Sequence, residues 1–354
     1  MNPTLVVCIA AASALVPSRA GAAAWTIGEP SHDRWMYPSN STPGTRAQAS
    51  TFSALPGSAG LDDRWGFFLF AFDTASALPP GLPVSRYRVN SVKIKATIGQ
   101  NNTFIYDPTY DAWQTYATPA IPASIADSDP GRPIELHGAS FRNGFTAATF
   151  METSAHGTVS PGTRNAFPFG YSATGTGQDV SNNITGQFDS IPWAVGESAT
   201  VSAGNSVPID SEFTFSVNPS LPGVTDYLKQ GMATGRIWFS ITSLHPAIQQ
   251  GGQLASFYTR DDVYHQLFGG LAPSMWLDAE LDVQLTITRT GNQVTVSWPE
   301  FAGFTHTLES SSTLAAESWT PVISHTAIIS GSGSHTESVA HGSRFYRIAL
   351  VPSL

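Results

Sequence analysis

The sequence predicts an all-β protein made of antiparallel sandwiches, and three features support this prediction. Segments in which apolar and polar residues alternate recur along the chain, which is typical of strands with one solvent-facing side. Glycine and proline are abundant, 31 and 25 of 354 residues, as in chains of short strands and turns. Only 12% of the residues are charged and 41% are hydrophobic, so the chain has enough apolar surface to form a core.

Residues 1–24 have the pattern of a signal peptide. An apolar run from residue 5 to residue 16 is too short to span a bilayer, and small residues follow it up to the two predicted cleavage positions, Ala22 and Ala24. The single cysteine, Cys8, lies inside this segment, so the exported chain would carry no disulfide. We therefore predict a bacterial protein that is secreted or attached to the cell surface.

The charge of the chain makes some partners unfavourable. The formal net charge is −9 and no run of basic residues occurs, so nucleic acid and anionic membranes are poor partners. No second apolar stretch is long enough to predict a membrane span.

Clean alternation predicts four strands with one wet face, at residues 92–98, 213–217, 281–287 and 294–298. Two short helices are predicted at residues 225–229 and 262–268, each followed by glycine. Residues 65–72 are apolar at odd-numbered and even-numbered positions alike, which predicts a central strand buried on both faces. The charged residues Asp62, Asp63, Arg64 and Asp73 are expected to pair or cap at its ends.

Several short segments before residue 283 occur in a characteristic order: DRWMY at 33–37, AFDT at 71–74, LPPG at 78–81, VTDYL at 224–228, FYTRD at 257–261 and APSMW at 272–276. In this order they resemble a jelly-roll module of the DNRLRE type, which is found in exported microbial proteins and is related to carbohydrate-binding modules. The resemblance implies a large jelly-roll β-sandwich over residues 25–280. The stretch from about 100 to 205 is longer than such a module needs and is predicted to be an insertion of long loops.

Residues 281–354 are predicted to form a second, smaller sandwich. Thr290, Gly291 and Asn292 mark a hairpin turn, and the segment has the length of a small seven-strand sandwich. The segments VSW at 296–298, TLESS at 307–311, SWT at 318–320 and FYR at 345–347 are similar to fibronectin type III-like modules of secreted bacterial proteins. The resemblance implies a fibronectin/Ig-like fold with Trp298 in its core.

One segment has the composition of a sugar-binding loop. Aromatic rings can stack on the C–H face of a sugar while carboxylates bind its hydroxyls. The candidate ligand-binding residues are Tyr106, Tyr110, Asp111, Trp113 and Tyr116. The alternative is that these rings fill the groove beneath a long loop.

A second segment has the spacing of a calcium loop. Asp127, Asp129 and Glu135 are the candidate ligands, with Gly131 at the turn between them, because calcium binds oxygen ligands presented by a sharply turning chain. The alternative is an exposed Asp-Pro-Gly turn in which the acids pair with Arg132.

The chain shows no nucleophile elbow and no paired histidines suited to zinc, so no catalytic residue is predicted. The favoured prediction is therefore a non-catalytic protein that binds polysaccharide or matrix. A structural or assembly protein of the envelope, without a small ligand, is the alternative. A polysaccharide-degrading enzyme is the less favoured third possibility.

Overall fold

The structure is a computed structural model that describes residues 23–54, 60–246, 254–338 and 344–353. The chain divides into two compact units between Leu281 and Asp282. The predicted signal segment lies outside the described residues, except for Ala23 and Ala24, which begin the first strand.

The described residues of the larger unit form strands, three α-helices and one 3-10 helix at Val84–Arg86. Its strands are β1 (Ala23–Ile27), β2 (His32–Met36), β3 (Gln48–Thr51), β4 (Phe67–Asp73), β5 (Tyr87–Thr97), β6 (Tyr106–Asp107), β7 (Arg132–Phe141), β8 (Ala166–Tyr171), β9 (Gly177–Asp179), β10 (Ala194–Val195), β11 (Glu212–Ser216), β12 (Arg236–Ser243), β13 (Ala255–Tyr258) and β14 (Ser274–Leu281). Its helices are α1 (Trp113–Tyr116), α2 (Val224–Thr234) and α3 (Val263–Phe268).

Two sheets of the larger unit have the strand order of a jelly roll. The front sheet has the order β1-β14-β5-β11, and the back sheet has the order β2-β4-β12-β7-β8-β9, with β6 and β10 also paired to β7. Along the chain, β1, β5, β11 and β14 belong to the front sheet, while β4, β7, β8 and β12 belong to the back sheet. This path, which crosses between two antiparallel sheets, confirms the predicted jelly-roll sandwich.

The two sheets share an aromatic core. The ring of Phe257 in β13 lies 6.4 Å from that of Phe68 in the back sheet and 6.5 Å from that of Phe213 in the front sheet. All three residues are buried. Phe257 therefore links the inner faces of the sandwich through ring contacts.

The opposite face of the back sheet is buried as well, beneath loops. Phe67 and Leu69 point to this side and form a cluster with Trp238 of β12 and with Phe150, which lies in the segment between β7 and β8. The strand predicted at residues 65–72 is therefore buried on both faces, by the sandwich on one side and by loops on the other, as the apolar run indicated.

Arg64, in the segment that leads into β4, is the centre of a buried polar network. Its guanidinium pairs with Glu135 of β7 and donates hydrogen bonds to Thr242 of β12 (2.8 Å), Ser190 (2.9 Å) and the carbonyl of Val180 (3.1 Å). The side chain of Arg64 is 0% exposed and that of Glu135 is 1% exposed. The pair therefore joins two strands of the back sheet to the segment that covers them.

The smaller unit contains two antiparallel sheets with three strands each. Its strands are β15 (Thr286–Thr290), β16 (Gln293–Glu300), β17 (Phe304–Ser311), β18 (Thr320–Ala327), β19 (Gly331–Ser338) and β20 (Phe345–Pro352), with a 3-10 turn at Ala316–Ser318. The sheet orders are β15-β16-β19 and β18-β17-β20. Trp298 is buried, as predicted, and β15 and β16 form the predicted hairpin at Gly291 and Asn292. The described residues contain six strands here, where seven were predicted.

Other predicted elements differ from the structure in extent. The alternation at residues 281–287 predicts one strand, but β14 ends at Leu281 and β15 begins at Thr286. β14 pairs with β5 in the larger unit and β15 pairs with β16 in the smaller unit, so the segment forms two separate strands. The stretch 100–205 contains long loops, as predicted, but also the sheet strands β7 and β8, which the sequence analysis did not assign.

We expect the substitution Arg64→Leu to lower the free energy of unfolding by about 3–5 kcal/mol, because it leaves the buried charge of Glu135 without its partner. Urea denaturation of the full chain measures this change. Arg236→Leu is the matched control: it breaks the partly exposed pair with Asp73 and should cost less than about 1 kcal/mol. Equal losses in the two variants would contradict the role assigned to Arg64.

His245 predicts a loss of stability in acid. It is buried, neither ring nitrogen has a hydrogen-bond partner among the described residues, and burial with the nearby charge of Arg132 lowers its pKa from 6.5 to about 3. Because the unfolded chain binds the proton more readily, this contribution to stability is present above pH 6.5 and is lost as the pH falls towards 3.

The test replaces the imidazole by an apolar side chain of similar size. We expect His245→Leu to reduce the slope of unfolding free energy against pH by up to about 1.4 kcal/mol per pH unit between those two values. His335→Gln, in the smaller unit, is the control. An unchanged slope in His245→Leu would show that another group governs acid unfolding.

Candidate functional site

A short parallel pairing gathers polar side chains at one end of the larger unit. Strand β6 runs beside the start of β7, with Tyr106 opposite Arg132 and Asp107 opposite Pro133. Gly131 makes the turn before β7 with a φ of +109°, and a Cβ there would lie 2.9 Å from the carbonyl oxygen of Ile105. Glycine is therefore required at this turn, which holds Asp129 close to β6.

The predicted aromatic residues do not form one exposed surface. Tyr106 is buried, and its hydroxyl accepts a hydrogen bond from the backbone N–H of Ser198 at 3.0 Å. Trp113 is 7% exposed, and the guanidinium of Arg132 lies 4.2 Å from the centre of the Tyr116 ring. Of the four rings Tyr110 is the most exposed, at 38%, with its hydroxyl 3.4 Å from Asp189. Most of these rings therefore pack beneath the loop, as the alternative interpretation described.

Three carboxylates converge at this end of the unit. Asp107, Asp111 and Asp129 each place an oxygen within 4.8 Å of the others, and this is the one such group of metal-binding residue types in the described part of the chain. We call these three residues the aspartate cluster. Burial raises the pKa of Asp107 and of Asp111, and the neighbouring carboxylates raise the pKa of Asp107 further.

Hydrogen bonds from the loop fix the positions of these carboxylates. Oδ1 of Asp107 accepts bonds from the backbone N–H and the hydroxyl of Thr109, at 2.8 and 2.6 Å. The same hydroxyl lies 3.1 Å from Oδ2 of Asp129, and Arg132 donates to Oδ2 of Asp111 at 2.8 Å. The cluster is thus held by its own loop and by the first residue of β7.

The structure gives the three predicted calcium ligands three different sets of partners. Asp127 pairs with Arg132 at 2.9 Å, and only Asp129 belongs to the aspartate cluster. Glu135 is buried against Arg64 and His137. The sequence analysis missed Asp107, because the pairing of β6 with β7 that brings it to Asp129 joins residues far apart in the sequence.

Glu135 and His137 are an acid and a base side by side, but both are sealed in the interior. Burial favours the neutral form of Glu135, yet the charge of Arg64 and the contact with His137 outweigh it and lower the pKa. Burial lowers the pKa of His137, with Glu135 opposing. With 1% and 0% of their side chains exposed, they serve to hold the sheet together.

The outer face of the front sheet is open, unlike that of the back sheet. Directly paired residues point to the same side of a sheet, so Thr26, Trp276, Lys93 and Ser216 form one row across it. Ser274, Lys95 and Thr214 form the next row. These side chains are exposed or half-buried. We call the seven residues the front face.

Trp276 is the large aromatic side chain of the front face. The ammonium group of Lys93 lies 5.6 Å from the centre of its ring, within the range of a cation–π contact. Beside it, the amide of Asn90 donates to Asp278 at 3.0 Å and to Glu280 at 3.3 Å. A ring, a cation and several hydrogen-bonding groups therefore share one solvent-facing sheet surface.

Part of this surface could be predicted from the sequence. Alternation at residues 92–98 and 213–217 correctly predicted strands with a wet face, β5 and β11. It did not predict that Trp276 lies beside Lys93, because the two strands meet only through the jelly-roll topology. The polar positions of β14, which alternate with buried ones, were the available signal.

Comparison with known proteins finds no matching family model and no matching curated protein. In the described part of the chain no helix has the length and apolarity needed to cross a membrane.

Proposed function

We propose that the chain is an exported, non-catalytic protein that binds polysaccharide through the front face. The observation that carries this proposal is the open, polar outer surface of the four-stranded sheet, with Trp276 among its hydrogen-bonding side chains.

The chemistry of the front face suits a sugar chain. The ring of Trp276 offers an apolar surface against which the C–H face of a pyranose packs. Hydroxyl and ammonium groups of Thr26, Ser216 and Lys93 lie in the same row and provide hydrogen bonds for sugar hydroxyls. The side chains of both rows are exposed or half-buried, so a polymer can contact several of them at once.

The rest of the chain supports the same proposal. Residues 25–283 resemble jelly-roll modules related to carbohydrate-binding modules, and residues 1–24 have the pattern of an export signal. The neighbouring acid and base, Glu135 and His137, are buried too deeply to contact a polymer. These features favour binding over cleavage, and a location outside the cell.

The proposal predicts that polysaccharide retards the full chain in native affinity gels, tested against a panel of neutral and uronate polysaccharides. Trp276→Ala should abolish the retardation, because it removes the ring against which the sugar packs. Tyr110→Ala is the matched comparison and should keep it.

Two outcomes would contradict the proposal. Retardation by no polysaccharide in the panel would remove the function itself. Retardation lost in Tyr110→Ala but kept in Trp276→Ala would place binding at the loop and not at the front face. Circular dichroism of each variant checks that it is folded.

A second candidate function is assembly of an envelope structure, and helix α3 favours it. Val263, Tyr264, Leu267 and Phe268 are all exposed on this short helix, and Phe268 is 81% exposed. Clustered apolar side chains of this kind are typical of protein contacts. Light scattering would support this function if the full chain self-associates and Phe268→Ser abolishes the self-association. The native chain should then bind no polysaccharide.

A further inference from the structure

Asp107 has an unsatisfied oxygen in the protein interior. The residue is 3% exposed, and its Oδ2 has no hydrogen-bond partner among the described residues. Both donors of Thr109 are directed at the other oxygen, Oδ1. A buried carboxylate oxygen without a donor is costly, so it implies a partner that a protein side chain does not supply.

The other two members of the aspartate cluster lie close to the same carboxylate. The oxygens of Asp107, Asp111 and Asp129 lie within 4.8 Å of one another. Two oxygens bound to one calcium ion at 2.3–2.6 Å are separated by up to about 5 Å, so the spacing fits one coordination shell. Asp107 and Asp111 are buried whereas Asp129 is exposed, which leaves one side for water ligands.

The excess of negative charge around the aspartate cluster also favours a bound cation. Four carboxylates meet here, those of Asp107, Asp111, Asp127 and Asp129, and Arg132 is paired with Asp111 and Asp127. In the described part of the chain Asp107 and Asp129 form no ion pair. A divalent ion bound between them would offset this excess negative charge.

We propose that Asp107, Asp111 and Asp129 bind one calcium ion. Asp127 and Glu135 lie outside its ligand shell, in contrast to the set that the sequence predicts. The ion joins the loop that begins at Asp107 to the turn before β7, so it stabilises this end of the back sheet. The site is independent of the polysaccharide function, because the front face lies on the other sheet.

Isothermal titration of CaCl₂ into the EDTA-treated full chain tests the site. We expect one ion per chain, with a dissociation constant on the order of 10⁻⁴ to 10⁻³ M, as in extracellular calcium modules. Asp129→Asn removes the charge of an exposed ligand without disturbing the core and should weaken binding about tenfold. Asp127→Asn, two residues earlier, is the matched control and should change the affinity by less than about threefold, since it removes only a nearby charge.

Thermal unfolding gives a second measurement that does not depend on the heat of calcium binding. CaCl₂ should raise the melting temperature of the native chain and of Asp127→Asn, and should raise that of Asp129→Asn clearly less. Absence of both heat and a melting shift would overturn the proposal. Loss of binding in Asp127→Asn but not in Asp129→Asn would overturn the assignment of ligands, and an equal or stronger response to MgCl₂ would overturn the choice of calcium.

Discussion

The buried pair of Arg64 and Glu135 is the interaction on which the larger unit depends. A charge in the protein interior has to be paired and hydrogen-bonded, since an unpaired one costs several kcal/mol. Arg64 meets this requirement only when β7, β12 and the segment around residues 180–190 all take their places. The pair of Asp62 and Arg164, also buried, ties a second covering segment to the same strand end. The two pairs therefore connect the residues before β4 to the segments that cover the back sheet.

This arrangement makes the two faces of the sandwich different. On the back sheet, loops bring Phe150 and other apolar side chains onto Phe67 and Leu69, so that surface is core. On the front sheet, polar residues alternate with buried ones and remain accessible, with Trp276 and Lys93 side by side. Because the outer side chains of the front sheet remain accessible, the proposed binding function is assigned to that sheet.

The acidic segment 127–135 shows why short-range spacing gave an incomplete account of the site. Its carboxylates are near one another in sequence, yet Asp127 pairs with Arg132, Asp129 joins Asp107 and Asp111, and Glu135 is buried with Arg64. Residues 129 and 135 lie on a turn and inside a strand, which have different directions and different neighbours. The aromatic residues behave similarly: their clustering in sequence indicated a shared surface, but Tyr106 and Trp113 pack inward because the groove beneath the loop has to be filled.

The sequence by itself determined the all-β class, the sandwich architecture, the double-sided burial of β4, the position of helix α3 and the core position of Trp298. These follow from local periodicity and from side-chain chemistry, which act over a few neighbouring residues. Only the tertiary structure decided that residues 132–141 form a central strand, that Asp107 lies beside Asp129, and that Trp276 lies beside Lys93. Each of these depends on pairing between distant strands, and that pairing is selected by burial and charge across the whole unit, which no local pattern contains.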